Sequence, residues 1–527
     1  MHEVRRLAGY GRTVFLDPWS DRRLVWSVVG VFFAVSIYRY TMVTLPNLDV
    51  SWLTIAAERM LAGGTYLDDF HEINWPLAIM IYCPGVSLSR LLGVDAYTGV
   101  LITFFLLIGG SVVTVGKLLN RLVPTMPAAT GVLVVVCAWV LLFPHRNFGQ
   151  REHFAIVMFL PFVIAAAGRA VGAPLVSRFA EVSIGAAAAI GIFVKPHLLL
   201  LPAAIFIVRL LRRRAWHVLW HPDFLTFVVL GFAYITMIFL FYPGWIEVAK
   251  RALQFYSAYN AEWYGLLRSG GTGLAWVLLT LIATRFVTIP SAAKSLVLHL
   301  GITAAVAAVI FVLQRKGWSY QFFPAKVALT LLVLAFATTL LAAAELSRTR
   351  LRPIYGHLSA LLVLSAALMP VARDIWRDYH RLERYRNTPV TQLVRATKPG
   401  TAIFVFSVDV GDGFPMMLLE KRVWASRFPS LWLVPGIVAH LAEARTPSRR
   451  AQLQVLQQST IEMTLSDFRR FRPAVVLVPR QINLKWLQEG FDYLTFYRTN
   501  PAFDAIWSGY RPAGRAGKFD IYVRGDL

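Results

Sequence analysis

Cysteine is nearly absent from this chain of 527 residues: Cys83 and Cys137 are the only two, and both fall inside apolar stretches. No disulfide framework can be built from such a pair, and the redox compartment is not legible from it. Charge is scarce as well, at 16% of residues where soluble domains carry about 25%. Acids are the scarcer sign, 29 against 53 Lys and Arg, for a net charge of +24. So little charge excludes a single soluble globule and a disordered tail. The positive excess does not make a nucleic-acid module either, because it punctuates apolar runs instead of coating a polar surface. Glycine-rich nucleotide loops are missing: Gly63-Gly64, Gly109-Gly110 and Gly270-Gly271 lie outside any strand-to-helix context, so ATP-driven transport has no support. No repeat of fixed period runs along the chain.

What the chain has instead is apolar surface, 57% of its residues against about 45–50% in soluble domains. A helix needs about 20 apolar residues to cross roughly 30 Å of hydrocarbon. Eleven stretches qualify: Leu24–Leu45, Ala96–Leu119, Met126–Phe143, Phe154–Ala170, Phe179–Val194, Leu198–Leu211, Phe224–Tyr242, Thr272–Ile289, Ser295–Leu313, Phe322–Ala344 and Ile354–Val371. The first is too long for a signal-peptide core and no small-residue cleavage pattern follows it, so it reads as a retained anchor. Trp75–Leu92 is apolar but short and is interrupted by Pro76, Pro84 and Gly85, which predicts an interfacial or re-entrant segment. With residues 1–23 in the cytoplasm, this choice places eighteen cations on inward segments: Arg5, Arg6, Arg12, Arg22, Arg23, Lys117, Arg121, Arg169, Arg178, Arg209, Arg212 to Arg214, Arg285, Lys294, Arg348, Arg350 and Arg352. Only eleven fall on the longer outward loops, as the positive-inside rule requires.

An odd number of crossings leaves residues 372–527 on the extracytoplasmic side. Runs at Ala402–Val408, Ala474–Pro479 and Asp520–Arg524, with a helix-like stretch from Ser448 to Arg470, predict a small α/β domain there. From Arg373 onward it holds 23 Lys and Arg against 14 Asp and Glu, a net +9, which suits anionic headgroups or an anionic acceptor as well as plain solvated surface. The region 24–371 is then the membrane domain, with residues 46–95 as its first outward loop. That loop carries Asp49, an amphipathic stretch of Trp52, Ile55, Ala56 and Met60 that would lie flat on the membrane, and a second polar cluster of Asp68, Asp69, His71 and Glu72. The aromatic residues between Tyr242 and Ser269 read mainly as a headgroup belt, with sugar or prenyl contacts as the alternative.

Several of these motifs resemble the GT-C superfamily of membrane glycosyltransferases, in the branch of the protein mannosyltransferases and the aminoarabinose transferase. They are Asp49 just after the first span, Ala57 to Gly64 (AERMLAGG), Tyr66 to Phe70 (YLDDF), Trp75-Pro76-Leu77, His145 to Phe154 (HRNFGQREHF), Lys195 to His197 (KPH) and Gln314 to Ala325 (QRKGWSYQFFPA). The chain departs from the family in having Trp75 and Glu152 where a second proline and an Asp are frequent. The resemblance implies a GT-C-like α-helical polytopic membrane protein of a bacterial inner membrane. Such a protein moves a sugar from a polyprenyl-phosphate donor to a glycan, lipid or protein acceptor on the outer face, among membrane lipids and without nucleic acid. The missing Asn-x-Ser/Thr sequon agrees with a bacterial source.

On this reading Asp49 is the general base of an inverting displacement and Glu152 assists it or orients the acceptor. Arg151, Lys195, His197, Arg315 and Lys316, all at outward span ends, offset the charge of the leaving lipid phosphate. Asp68, Asp69, His71, Glu72, Trp263 and Tyr320 are the candidate acceptor or sugar contacts. Interfacial snorkelling is the plainer account of the cations, and an ion pair with Arg151 is the plainer account of Glu152. No cofactor is required; a divalent ion at Asp49 is compatible but no spacing demands it, and His71 and His153 lack the partners of a metal site. The rival function is a flippase or exporter of lipid-linked sugars, which would place ionisable residues near mid-span. Here they stand at span ends.

Overall fold

The computed structural model describes residues 17–173, 177–213, 220–345, 353–480, 487 and 490–526. Residues 1–16 of the expected cytoplasmic segment, with Arg5, Arg6 and Arg12, lie outside the described residues, as do Arg214, Arg348, Arg350 and Arg352. The chain divides into two units. One comprises Met1–Val43, Leu101–Ile235 and Ala261–Arg377; the other comprises Thr44–Val100, Thr236–Asn260 and Asp378–Leu527.

The first unit is helical. Each of the eleven expected spans falls on a helix. Among the described residues, seven helices are long and apolar enough to cross a membrane: Arg22–Val43, Ala96–Leu122, Arg151–Ala170, Pro222–Phe241, Trp263–Ala283, Ser291–Gln314 and Ser319–Leu341. Three expected spans are shorter helices, Pro127–Leu142, Arg178–Ile192 and Leu200–Arg213, of 16, 15 and 14 residues. The last falls on Pro353–Arg386. Two boundaries differ clearly: the helix expected to end at Val371 runs on to Arg386, and the one expected from Thr272 begins at Trp263. Gly270 and Gly271 do not break it; a Cβ on Gly270 would come within 2.6 Å of a Val312 methyl, so the glycine permits close helix contact.

Arg151–Ala170 is the most enclosed of these helices, buried at all but three of its 20 positions, and it packs against Arg178–Ile192, Ser291–Gln314 and Phe323–Glu345. In lipid, apolar side chains gain little from meeting one another, so close backbone approach through small residues holds helices together. Gly191 shows this, since a Cβ there would stand 2.7 Å from Met158 Cβ. Where this helix ends, Arg169 Nη2 lies 2.6 Å from Asp223, Arg209 Nη1 lies 2.9 Å from the same oxygen, and Glu181 is 3.6 Å from Arg169. These groups tie four helix ends together. Arg151, at the other end of the helix, is about 27 Å away at 1.5 Å per residue, close to the hydrocarbon thickness of a bilayer.

The second unit contains a five-stranded mixed sheet. Its strands are β1 (Ala402–Val405), β2 (Val423–Trp424), β3 (Val475–Pro479), β4 (Tyr510–Ala516) and β5 (Phe519–Arg524), in the order β2-β1-β3-β5-β4. β1 runs parallel to β2 and β3, and β5 runs antiparallel to β3 and β4. The three strands read from the sequence are β1, β3 and β5, and the expected helix is Pro447–Phe471. β2 has two residues and β4 reads YRPAGRA, so neither carries a legible apolar pattern. The core beneath the sheet is aromatic: Phe404 and Phe406 meet Phe468, at ring separations of 4.8 and 6.2 Å, and Phe503 and Trp507 extend the cluster.

The first loop belongs to this unit. Asn47 caps the Leu48–Leu61 helix, accepting from the backbone of Asp49 at 2.9 Å and of Val50 at 3.3 Å, and Gly63 with φ +84 ends it. Val50 to Ala57 are all buried, so protein covers the face expected to lie on lipid. Trp75–Leu92 forms two short helices, Leu77–Met80 and Cys83–Leu92. Arg59 joins the loop to the carboxy-terminal segment by donating to the carbonyls of Asp69, Ser426 and Trp424 at 2.7, 2.7 and 2.5 Å.

Candidate functional site

In the first unit the polar residues of three helix junctions converge. Arg151 and Glu152 open the Arg151–Ala170 helix, whose N-cap Gln150 supplies no side-chain cap, and a helix amino terminus carries partial positive charge. Lys195 sits in extended backbone just before the short turn Pro196–Leu199. Its Nζ stands 2.5 Å from Glu152 Oε1 and 5.2 Å from the Tyr320 ring centre, and both charged residues are buried. His197 follows directly. Burial first, then the charges of Lys195 and Arg151, pull its imidazole down to about 3, so it is neutral near pH 7.

Several polar atoms here are enclosed without a hydrogen bond: Glu152 Oε2, Arg151 Nε, His197 Nε2, Arg315 Nε and Gln321 Oε1. Such atoms are costly unless water or a ligand meets them. Arg315 takes φ +55 at the end of Ser291–Gln314, and its guanidinium lies 4.4 Å over the Trp263 ring, a cation–π contact. Burial, then Arg315, lowers the Lys316 ammonium to about 8. Arg151, Glu152, Lys195, His197 and Tyr320 thus form one group, and Arg315, Lys316 and Trp263 a second.

Gln321 was not singled out from the sequence, although it stands in the QRKGWSYQFFPA run. Arg39 was also missed. It lies on a π-helical turn, Arg39–Val43, is fully buried, and faces Asp374 at 3.5 Å. His145 meets the same carboxylate at 3.0 Å. An arginine at the end of an otherwise apolar span is the signal that would have found it.

The second unit holds the remaining candidates. Asp49 is half-buried in the first turn of its helix, where the helix dipole favours the carboxylate. Glu72 is enclosed and accepts from Trp52 Nε1 at 2.7 Å and from the Asn74 backbone at 2.9 Å. Asp69 accepts from Arg470 at 2.5 Å and from Thr65 N at 2.8 Å. His71 is buried between the rings of Phe428 and Trp432, at 4.9 and 5.9 Å; burial, then Arg251 and Arg427, lowers it to about 3. Asp68 alone of this cluster keeps an open side chain, 66% exposed. The aromatics expected as a belt are partly interior: Trp245 donates to the Asn74 carbonyl at 2.8 Å, and Phe255 and Tyr259 are buried. Among the described residues no group of three or more His, Cys, Asp or Glu gathers as a metal site would require.

The Lys195–Glu152 pair has a stability consequence. Lys195→Ala leaves Glu152 buried and uncompensated, at a cost of about 3–5 kcal/mol. The paired variant Lys195→Met with Glu152→Gln regains most of that. Melting transitions in detergent measure both; single variants that melt like the parent would show that the pair does not brace these junctions.

Comparison with protein-family models returns no match, and comparison with curated proteins returns none. Among solved structures, ArnT from Cupriavidus metallidurans bound to undecaprenyl phosphate matches with a TM-score of 0.53, covering 94% of this chain and 97% of that one, at 14% identity. The apo state of ArnT covers the same shares with a TM-score of 0.39 and 11% identity, a level at which likeness carries no weight. Identity this low speaks for the fold and not for individual residues. The chain shares the fold of ArnT, the fold its motifs led one to expect.

Proposed function

We propose that this chain is a membrane glycosyltransferase that moves a sugar from a polyprenyl-phosphate donor to an acceptor hydroxyl of an envelope glycan, lipid or protein on the outer face of a bacterial inner membrane. The observation that carries this reading is the gathering of Arg151, Lys195 and neutral His197 at a helix amino terminus, with His197 Nε2 enclosed and unmatched. A lipid phosphate is the kind of ligand that cations and hydrogen-bond donors grouped in this way hold. The fold adds support, since the ArnT structure it resembles holds undecaprenyl phosphate.

In the proposed reaction the acceptor oxygen attacks the anomeric carbon from the face opposite the leaving group, and Asp49 takes the hydroxyl proton. The bond between sugar and phosphate oxygen breaks with inversion. The cations of the first unit stabilise the departing phosphate, whose charge rises as that bond lengthens. Glu152 holds Lys195 in place, which is a positioning role. Charge compensation comes from side chains, and the scheme calls on no cofactor.

Mass spectrometry of lipids carried through detergent extraction tests the reading: a polyprenyl phosphate is retained by the parent and largely lost from Arg315→Ala, and its absence from the parent would remove the donor assignment. Asp49→Asn inserts and melts normally but transfers sugar roughly 10²- to 10⁴-fold more slowly, as a radiolabelled-donor assay measures; near-parental turnover would end its role as base. Donor affinity also depends on pH through Lys316. Its ammonium, lowered to about 8, is fully charged well below that pH and loses its proton as pH rises through it. Donor binding therefore weakens above pH 8 in the parent and stays level in Lys316→Arg, whose guanidinium keeps its charge.

A further inference from the structure

At the carboxy-terminal end of the Pro447–Phe471 helix, the second unit contains an open cavity of about 610 Å³. Four arginines line it, Arg469, Arg472, Arg511 and Arg524, against the single acidic residue Asp526. Its carboxylate is already shared, since Arg472 Nη2 reaches it at 3.2 Å and Arg524 Nε at 2.5 Å, and Arg524 Nη1 also donates to the Arg472 carbonyl at 2.5 Å. Arg469 and Arg511 are exposed and have no ion-pair partner among the described residues. The helix dipole favours cations in a last turn and so accounts for Arg469. It does not account for Arg511 and Arg524, which arrive on the β4–β5 hairpin, nor for the excess over the one acid. Arg472 adds a further sign. It takes the left-handed conformation, φ +45, at the position where a helix commonly ends on glycine, so a side chain is kept where the backbone favours having none.

We propose that this groove binds a phosphate-bearing ligand, either an anionic lipid headgroup or a soluble phosphorylated sugar. A carboxylate would offset one of the surplus charges, whereas a phosphate monoester carries about −1.5 to −2 at pH 7 and offers three acceptor oxygens. Guanidinium forks match those oxygens in pairs, which a lysine cluster would not do. The cavity is far larger than a phosphate ion and leaves room for a ring-sized body beside the apolar wall of Phe468 and Ile506. The inference does not rest on the glycosyl-transfer reading; the groove binds phosphate whether or not the protein transfers sugar.

Two arms on the full chain separate the sources. Calorimetry with glucose 1-phosphate, against glucose as control, tests the soluble source. Native mass spectrometry from nanodiscs containing phosphatidic acid, whose headgroup is a phosphate monoester, against phosphatidylcholine alone, tests the lipid source. The parent binds in at least one arm, and Arg469→Gln with Arg511→Gln weakens that binding by about tenfold or more, the loss expected when two charge-assisted contacts go. Both replaced residues are exposed, so the variant should melt as the parent does. Asp526→Asn removes the competing acid and tightens binding, a change that misfolding would not mimic. A parent that binds neither probe, or unchanged affinity in either variant, overturns the proposal.

Discussion

A chain this apolar can keep a charge only where a helix ends and only beside a partner. Leaving a guanidinium or ammonium alone in a low-dielectric interior is far more costly than pairing it, and this rule governs the first unit. Arg169, Arg209, Glu181 and Asp223 bind the helix ends on one side, while Glu152 and Lys195 bind those on the other. The two groups are separated by the length of one helix. Each draws several junctions to a point, and the middle of Arg151–Ala170 between them is apolar. Both groups leave an enclosed oxygen unmatched, Asp223 Oδ1 in the first and Glu152 Oε2 in the second. Enclosed polar atoms without partners are uncommon in native proteins, and His197 Nε2 adds one more in the group of Glu152.

Arginine plays another part in the second unit, as a strap between distant segments. Arg59 reaches three backbone carbonyls, two of them more than 300 residues away. Arg427 runs the opposite way, donating to the Leu67 carbonyl at 2.6 Å and pairing with buried Asp467 at 2.8 Å. Arg470 completes the set on Asp69. Burial pushes the Asp467 carboxyl up to about 6 against the pull of Arg427, the mark of a group held in the interior for the bonds it accepts. These straps explain why the apolar face of Leu48–Leu61, which periodicity alone assigns to a membrane surface, is covered by protein. An amphipathic helix reports that one face must be buried; it does not report what buries it.

The same limit decides which site residues were legible. Asp68, Asp69, His71 and Glu72 form one acidic run in the sequence, yet three of the four are interior groups, two of them paired with Arg470 or Trp52. Nothing in a local pattern separates a carboxylate awaiting a substrate from one already bonded, because the partners lie elsewhere in the chain. Arg151, Lys195 and His197 were legible for the opposite reason. They stand at span ends, span ends share a membrane boundary, and a boundary is a plane on which residues far apart in sequence are forced together. Gln321 escaped notice because it has no unusual local setting until the helices pack, whereas Arg39, a cation in an apolar span, left a local signal.

Composition and hydrophobic run length by themselves determined that this is a polytopic helical protein with a carboxy-terminal α/β domain. Both follow from transfer free energies that depend on the residues and not on their neighbours. Tertiary structure decided the rest: that Gly270 continues a helix, that a two-residue strand and a glycine-bearing hairpin complete the sheet, that the first loop shares a unit with the distant carboxy terminus, and that four arginines meet around one cavity. Each of these depends on contacts between segments far apart in the chain. The energy of such contacts is a property of geometry, and no window of sequence contains it.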